Sequence, residues 1–228
     1  MEPALRPGDR IVIDKRCGNR PYDRIRRNDI VFFHFPCRDD WMQIEKQHRK
    51  YYVKRCIGMP GETLSIRNGF YRIEGCNKPA GYLPEQVLLS NLSDSEIPGE
   101  VIKAFPFDTL SGWTIRNFGP LRLPASGDTL PASRDNFKLY GRYIAYETHS
   151  RVVFADSLFH IGNDTVSRYV FRSNYYFMAG DQATDSQDSR YWGLLPEECI
   201  IGKAVLILYS ADPRTGALST GRMFRTLN

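Results

Sequence analysis

The amino-acid sequence predicts a mainly β protein: an antiparallel β core with an inserted second, irregular β-rich subdomain. Short runs rich in β-branched and aromatic residues recur along the 228 residues, separated by turn-forming residues. Asn68-Gly69 stands between two such runs and predicts a tight type I′ hairpin. Residues 75–135 are instead rich in Pro and Gly and show little periodicity. They predict an insertion, and the motifs that frame it at residues 1–61 and 180–204 set the division into a core of residues 1–74 and 171–228 with residues 75–170 inserted.

The first part of the core is predicted to consist of strands joined by turns. Alternation of charged and aliphatic residues, or enrichment in β-branched and aromatic residues, is typical of strands. Predicted strands cover residues 10–14, 29–35, 51–57, 63–66 and 70–73. Residues 17–28 are polar and predict a loop, and the charged segment 40–49 predicts a short helix.

The rest of the chain predicts more short strands, with a helix near residues 83–92. Residues 139–147 are amphipathic, and their pattern fits either a helix or a strand. Further strands are predicted at residues 113–115, 121–123, 151–154, 159–161, 168–171 and 200–209. The last of these is the most apolar, so we expect it to be buried.

Composition excludes several classes of protein. Apolar residues make up 42% of the chain, enough for a core, and the net charge of +5 suits an anionic membrane surface but is too diffuse to indicate nucleic acid. The five cysteines are far apart without a Cys-x-x-Cys pair, and the histidines lack ligand spacing, so we expect no metal and no cofactor. No apolar run approaches the roughly 20 residues of a membrane helix, so we expect the chain as written to be soluble.

Lys54 is unusual because it lies inside an otherwise apolar predicted strand. The simpler interpretation is a lysine that snorkels at a sheet edge or pairs with an acid. The functional interpretation is a general base, since burial penalises the ammonium form and lowers the pKa towards neutrality. Such a lysine activates a serine nucleophile without histidine, and a second serine hydroxyl would hold it in place.

The loop at residues 180–193 is the second candidate site. It is rich in acids, hydroxyls and glycine, and it lies between two apolar segments, where sites are commonly built. A polar turn with a surface ion pair between Asp188 and Arg190 is the alternative interpretation.

Four ordered motifs resemble those of bacterial type I signal peptidases, membrane-bound Ser/Lys proteases that remove signal peptides. The matching stretches are Met1-Glu2-Pro3-Ala4-Leu5 with Gly8-Asp9, residues 27–33, residues 52–61, and residues 180–193, with Ile201-Gly202-Lys203-Ala204 as a shorter fifth match. Ala4, Asn28 and Gln182-Ala183 depart from the family's threonine, glycine and Asn-Arg. The resemblance implies the antiparallel β fold of that family, and these departures suggest altered substrates.

The resemblance implies a role for each matching residue. Lys54 would be the general base and Ser186 would orient it. Asp188 and Arg190 would form a buried ion pair that holds the loop, with Asp181 and Ser189 also supporting the site. The pockets for small side chains at the first and third substrate positions before the cut would be lined by Met1, Leu5, Phe32, Tyr52 and Val53. An extended substrate would pair with an exposed strand edge near residues 51–54.

The family's motif places the nucleophilic serine immediately before Met1, so we expect the chain as written to have no peptidase activity. Three explanations stay open: a start codon assigned at the methionine of the motif, a truncation there, or a naturally inactive relative. Truncation is favoured because the break falls so close to a motif whose second residue is methionine.

The resemblance also implies the setting. The partners would be signal peptides of exported preproteins and a membrane surface, with no nucleic acid and no metal. The location would be the outer face of the bacterial cytoplasmic membrane. The alternative is a non-catalytic, membrane-associated peptide-binding paralogue on the same fold.

Overall fold

A computed structural model describes residues 1–18, 25–38, 41–93, 95–106 and 112–227 of the chain. The strands are β1 (Asp9–Asp14), β2 (Ile30–Cys37), β3 (Ile44–Gly58), β4 (Thr63–Arg67), β5 (Phe70–Ile73), β6 (Phe118–Arg122), β7 (Thr129–Pro131), β8 (Val152–Ala155), β9 (Leu158–Ile161), β10 (Asp164–Val166), β11 (Arg168–Val170), β12 (Tyr175–Ala179), β13 (Leu195–Pro196), β14 (Ile200–Ser210) and β15 (Arg225–Thr226). The helices are α1 (Leu83–Asn91), α2 (Gly99–Ile102), α3 (Arg134–Thr148) and α4 (Ser189–Trp192).

The main sheet is antiparallel and combines both ends of the chain. Its order is β1-β14-β2-β3-β12-β13, with β15 paired to β14. The β2–β3 pair is a long hairpin whose register runs from Ile30 opposite Arg55 to Cys37 opposite Ile44. Because β3 continues past β2 to pair with β12, it lies next to the start of the 180–193 loop. The predicted mainly β, antiparallel class is confirmed.

Smaller sheets and helices pack around this sheet. β4 pairs with β5 across the predicted Asn68-Gly69 turn, and both Asn68 and Gly69 have the positive φ that a type I′ turn requires. β6 joins that hairpin, β8–β10 form a second small sheet, and β7 pairs with β11. The ambiguous segment 139–147 is helical within α3. Ser133 caps its first turn, and the spacing of the buried Tyr140, Tyr143 and Ile144 is helical.

Two hydrophobic clusters position the site. The larger is shared by the main sheet and residues 80–171, and the fully buried Trp192 and Phe177 belong to it. The smaller lies on the other side of the sheet, where Leu5, Ile30 and Leu227 pack together with Ala204 and Ile207. The division of the chain into residues 1–74, 75–170 and 171–228 stays a prediction.

Two local predictions are wrong. Residues 44–49 extend β3 instead of forming a helix, because Ile44 is buried opposite Cys37 and Gln47 pairs with Phe35 across the hairpin. Asp40, at the start of that predicted helix, lies outside the described residues. Residues 113–115 form no strand and contribute only a single bridge between Thr114 and Lys103, with Ile115 buried in a satellite cluster. Part of the predicted loop 17–28, residues 19–24, also lies outside the described residues.

Candidate active site

The structure brings Lys54 and Ser186 into contact. Lys54 lies on β3 opposite Val31, and its Nζ donates a hydrogen bond to Ser186 Oγ at 2.9 Å. The two residues are 132 positions apart, and the contact forms because β12 pairs with β3 up to Arg55 and then delivers the loop beside Lys54. A hydroxyl that accepts from the lysine fixes the direction of its remaining hydrogens and lone pair.

Gly180 makes this contact sterically feasible. A Cβ atom added at Gly180 would lie 2.1 Å from Ser186 Oγ, 2.7 Å from Ser186 Cβ and 3.3 Å from Lys54 Nζ. No real carbon approaches an oxygen so closely, so any larger residue here would displace the serine. The glycine is required by space, since its φ is not among the positive values of the chain.

The ion pair between Asp188 and Arg190 holds the loop from inside. Arg190 Nε and Nη2 donate to the two carboxylate oxygens of Asp188, each at 2.8 Å, and the side chains are 1% and 0% exposed. Asp188 also accepts from the Gly180 amide at 3.0 Å, and Arg190 donates to the Ala183 carbonyl at 2.8 Å. The pair therefore ties the first residues of the loop to its second half.

The charge state of this pair follows from its contacts. Burial alone would raise the pKa of Asp188, but Arg190 outweighs burial and the net pKa is lowered. Burial would lower the pKa of Arg190, and Asp188 reverses this so that its pKa is raised. Both groups are therefore charged throughout the neutral range. The surface ion pair of the alternative interpretation is wrong, because this pair is buried.

Asp181 and Ser189 connect the loop to the sheet. Arg55 donates to both carboxylate oxygens of Asp181, from Nε at 2.7 Å and from Nη2 at 2.6 Å, and its Nη1 donates to the Asn28 carbonyl at 2.7 Å. Ser189 Oγ accepts from the Met178 amide at 2.9 Å. The loop is thus fastened to β3 next to Lys54 and to β12 just before Gly180.

Lys54 lies in an environment that disfavours its charge. Burial lowers the pKa of its ammonium, and the nearby Asp188 carboxylate opposes that effect only in part. Burial also lowers the pKa of the Met1 α-amino group, and the Lys54 charge lowers it further. The two cations therefore disfavour each other.

The predicted pocket residues divide between the two faces of the sheet. Met1, Leu5 and Val53 line one cleft of about 310 Å³, together with Arg6, Pro7, Asp9 and Ile11. Phe32 is directly opposite Val53 and shares its face, and its ring stacks on Tyr51 at 5.4 Å. Tyr52 lies on the other face, where its ring packs against Phe35 at 4.8 Å. The structure therefore does not bring Tyr52 into the cleft, because successive residues of a strand point to opposite faces.

Next to this cleft, β3 presents a free edge. Pairing with β12 covers residues 55–58 of β3, and none of the described strands pairs with residues 51–54 on that side. An edge of this kind offers backbone donors and acceptors to an extended peptide, and alternate side chains of that peptide would reach the cleft.

Arg55 and Gly180 are site residues whose roles the sequence reasoning missed. Both stand inside the quoted motifs, but their pairing and space requirements depend on tertiary contacts. A charged residue next to Lys54 in an apolar strand was the available signal for Arg55, because a buried guanidinium needs a carboxylate partner. The sequence pattern around Gly180 is the same as that of an ordinary turn glycine, so it did not reveal that Ser186 leaves no room for a side chain at this position.

Neither a metal cluster nor a membrane span was found in the described residues. No group of three or more His, Cys, Asp or Glu side chains there is placed to hold a metal ion. No described helix is both long and apolar enough to cross a bilayer.

Comparison with known proteins gives consistent matches. The family model described as signal peptidase, peptidase S26, matches residues 1–209. A signal peptidase I of Buchnera aphidicola subsp. Acyrthosiphon pisum is 48% identical over 238 residues, which cover 97% of this chain and 69% of the relative. That of Buchnera aphidicola subsp. Baizongia pistaciae is 27% identical over 235 residues, covering 98% and 71%. A crystal structure of a signal peptidase I from Enterococcus faecalis V583 aligns with a TM-score of 0.38 at 19% identity, covering 79% of this chain and 96% of that chain.

Proposed function

The chain belongs to the signal peptidase family, peptidase S26, and we propose that it carries the Ser/Lys machinery with which a serine endopeptidase cleaves signal peptides from exported proteins. The observation that supports this most directly is the hydrogen bond from Lys54 Nζ to Ser186 Oγ at 2.9 Å. It joins a lysine whose pKa is lowered to a hydroxyl that orients it. These are the two properties that a lysine general base requires.

The proposed nucleophile is a serine joined to the nitrogen of Met1, as the family's motif implies. The position of Met1 supports the assignment, because Met1 lines the same cleft as Val53, the residue before Lys54 on β3. Neutral Lys54 would take the proton of the serine hydroxyl while the serine oxygen attacks the scissile carbonyl. The resulting ammonium would return the proton to the leaving amine, which leaves an acyl-enzyme. Water, deprotonated by Lys54, would then release the acid and restore the serine.

The proposed substrate lies along the free edge of β3. Its backbone would pair with residues 51–54, and its small side chains before the cut would enter the cleft of Met1, Leu5 and Val53. Phe32 would border the same face. Tyr52 would instead border the base, because the centroid of its ring lies 5.7 Å from Lys54 Nζ.

The test uses two proteins: the 228-residue chain and the same chain preceded by a short neutral peptide ending in serine. A fluorogenic peptide with alanine at the first and third positions before the cut serves as substrate. We expect cleavage only by the serine-extended chain, and none after Lys54→Met. The exposed Lys78→Met is the matched control and should retain activity.

The stability of the same variants shows why activity is lost. Because burial disfavours the Lys54 charge, Lys54→Met should stabilise the fold at neutral pH by roughly 0.5–2 kcal/mol. Equal activity with and without Lys54 in the serine-extended chain would refute the proposal, as would cleavage by the 228-residue chain that Lys54→Met abolishes. Binding of the peptide without turnover in the extended chain would favour the non-catalytic peptide-binding alternative.

We further propose that the protein meets its substrates at the outer face of the bacterial cytoplasmic membrane. The net charge of +5 supports contact with anionic headgroups. Flotation with vesicles of anionic and of neutral lipid tests this, with binding expected only to anionic vesicles and weakened by salt. Equal flotation with both vesicle types would contradict an electrostatic contact.

A further inference from the structure

Arg222 connects the end of the chain to its beginning. It lies in the 3-10 turn Thr220–Arg222, within a C-terminal strap that we define as residues 218–227. Its Nε donates to Asp9 Oδ1 at 3.0 Å, and its Nη2 donates to the Ala4 carbonyl at 3.0 Å. The side chains of Arg222 and Asp9 are 9% and 2% exposed. One buried guanidinium therefore holds two points of the N-terminal segment.

The C-terminal strap is itself fixed to the main sheet. β15 pairs with β14, with Thr226 opposite Leu206, and the Leu227 amide donates to the Val205 carbonyl at 3.0 Å. Leu227 is buried in the same small cluster as Leu5. The position of Arg222 is therefore set by the rigid sheet and not by the segment that it contacts.

The N-terminal segment has few supports of its own. Residues 1–8 belong to no strand or helix of the described structure. The Leu5 amide donates to the Met1 carbonyl at 3.1 Å, which closes residues 1–5 into a turn. The Arg6 amide donates to Asp9 Oδ2 at 2.8 Å, so Asp9 accepts from both the turn and Arg222. Displacing the Ala4 carbonyl would therefore displace Met1 and Leu5 together.

We propose that Arg222 is a positioning residue for the cleavage reaction, holding residues 1–5 so that Met1 and Leu5 line the cleft beside Val53, the neighbour of Lys54 on β3. This inference rests on the proposed Ser/Lys function. The match with the family model ends at residue 209, so it does not include the strap. Arg222 does not itself line the cleft or bind Lys54, and it acts through Ala4 and through Asp9, which lines the cleft.

The electrostatics agree with a permanent link. Burial would raise the pKa of Asp9, but the hydrogen bond from Arg222 contributes to a net pKa below the ordinary value. The hydrogen bond that Arg222 donates to Asp9 in turn raises the pKa of Arg222. Since both groups stay charged from mildly acidic to alkaline pH, the link persists wherever Lys54 can work.

The first test measures kinetics in the serine-extended chain with three substitutions. Arg222→Met should lower kcat roughly 100-fold, the effect of misplacing a reacting group by about 1 Å. Arg222→Lys should recover part of the loss, because an ammonium keeps the charge on Asp9 but cannot serve Asp9 and the Ala4 carbonyl in the same fork geometry. Arg214→Met, which removes an exposed arginine just before the strap, should change neither kcat nor KM.

A stability-matched variant separates positioning from a general loss of stability. Tyr169→Phe removes a hydrogen bond to Glu147 in the inserted region, remote in sequence from both ends of the chain. It should lower the urea midpoint without changing kcat. A kcat in Arg222→Met equal to that of Arg214→Met would overturn the proposal, and so would an equal kcat loss in Tyr169→Phe.

The second test needs no activity, so it distinguishes failure of this inference from failure of the proposed function. Competitive acetylation of the Met1 α-amino group over a pH series reports its pKa in the 228-residue chain. Burial and Lys54 lower that pKa, and Arg222→Met should move it back towards the ordinary value of about 8. An unchanged pKa in Arg222→Met would overturn the positioning role even if the enzyme is active. A changed pKa with an inactive serine-extended parent would support positioning while refuting the proposed catalysis.

Discussion

The loop at residues 180–193 and the N-terminal segment at residues 1–9 both border β3 at Val53 and Lys54, but their main supports differ. The loop is held by an ion pair of its own residues, Asp188 and Arg190, which are two positions apart. This pair also binds the backbone of Gly180 and Ala183. The N-terminal segment is held by a residue outside it, Arg222, which is 213 positions from Asp9. The loop therefore has a local ion pair in addition to its link to Arg55, whereas the hold of Arg222 on the N-terminal segment joins the two ends of the chain.

This difference matters because local and long-range supports fail differently. Loss of a buried partner inside the loop leaves an uncompensated charge in the protein interior, which destabilises the entire fold. Loss of the support for a terminal segment allows that segment to open while the rest stays folded. Substitutions in the loop should therefore mainly lower the stability of the fold. Loss of the support for the N-terminal segment should mainly change the geometry of the site.

The largest expected effect is the loss of stability on removing Asp188. Asp188→Ala leaves Arg190 buried and unpaired and should lower the free energy of unfolding by about 3–5 kcal/mol. Urea denaturation measures this directly. Glu45→Ala, which breaks an exposed pair with Arg38, is the matched control and should cost only about 0.2–1 kcal/mol. Equal losses in the two variants would contradict the claim that the loop pair is structural.

Gly180→Ala should come next, and should act on activity more than on stability. The added methyl would lie 2.1 Å from Ser186 Oγ and push the serine away from Lys54. We expect kcat of the serine-extended chain to fall roughly 100-fold. Gly221→Ala has open space around the new methyl and should keep full activity. Normal turnover in Gly180→Ala would show that the contact between Ser186 and Lys54 is dispensable.

Arg222→Met should lower the free energy of unfolding less than Asp188→Ala does. It should instead open the N-terminal segment locally. Amide hydrogen exchange should accelerate at Leu5 and Asp9, whose amides donate within the N-terminal segment. The Gly180 amide, bound to Asp188, should keep its protection. If exchange at Gly180 accelerates as much as at Leu5, the loop and the N-terminal segment open as one cooperative unit. That result would contradict separate supports for the two segments.

The smallest effect concerns the pH dependence. Catalysis needs neutral Lys54, so kcat/KM should rise with pH as its ammonium loses a proton, at a pKa below the ordinary 10.5. The exposed Asp185 raises the pKa of Lys54, so Asp185→Asn should move this rising limb of the plot of kcat/KM against pH slightly to lower pH. Asp128→Asn removes an acid that is not among the groups acting on Lys54 and should leave the limb in place. A limb shifted to higher pH in Asp185→Asn would assign it to a group other than Lys54.

The strands and the hairpin were predictable because their signals are local. Asn68-Gly69 has the positive φ values that its turn type demands, and most of the short apolar runs, residues 113–115 excepted, lie in strands. The extension of β3 into residues 44–49 was not predictable in this way. Its charged residues hide the alternation, and only pairing with Phe35 and Cys37 makes the segment extended.

The site shows the same division. The chemical types at Lys54, Ser186, Asp188 and Arg190 were readable from the motifs, and the buried pair depends on residues two apart. The separation of Tyr52 from the cleft was not recognised, although strand alternation carries that information once the direction of one side chain is known.

By itself, the sequence determined the antiparallel β class, the residue types of the site and the family, since these depend on neighbouring residues and ordered motifs. Only the tertiary structure decided which groups meet. The hydrogen bond of Lys54 to Ser186, the pair of Arg55 with Asp181 and the hold of Arg222 on Ala4 and Asp9 each join distant parts of the chain. The physical reason is that a buried charge needs a partner, but local sequence does not specify which distant residue supplies it, because that choice is made by the register and packing of the sheet.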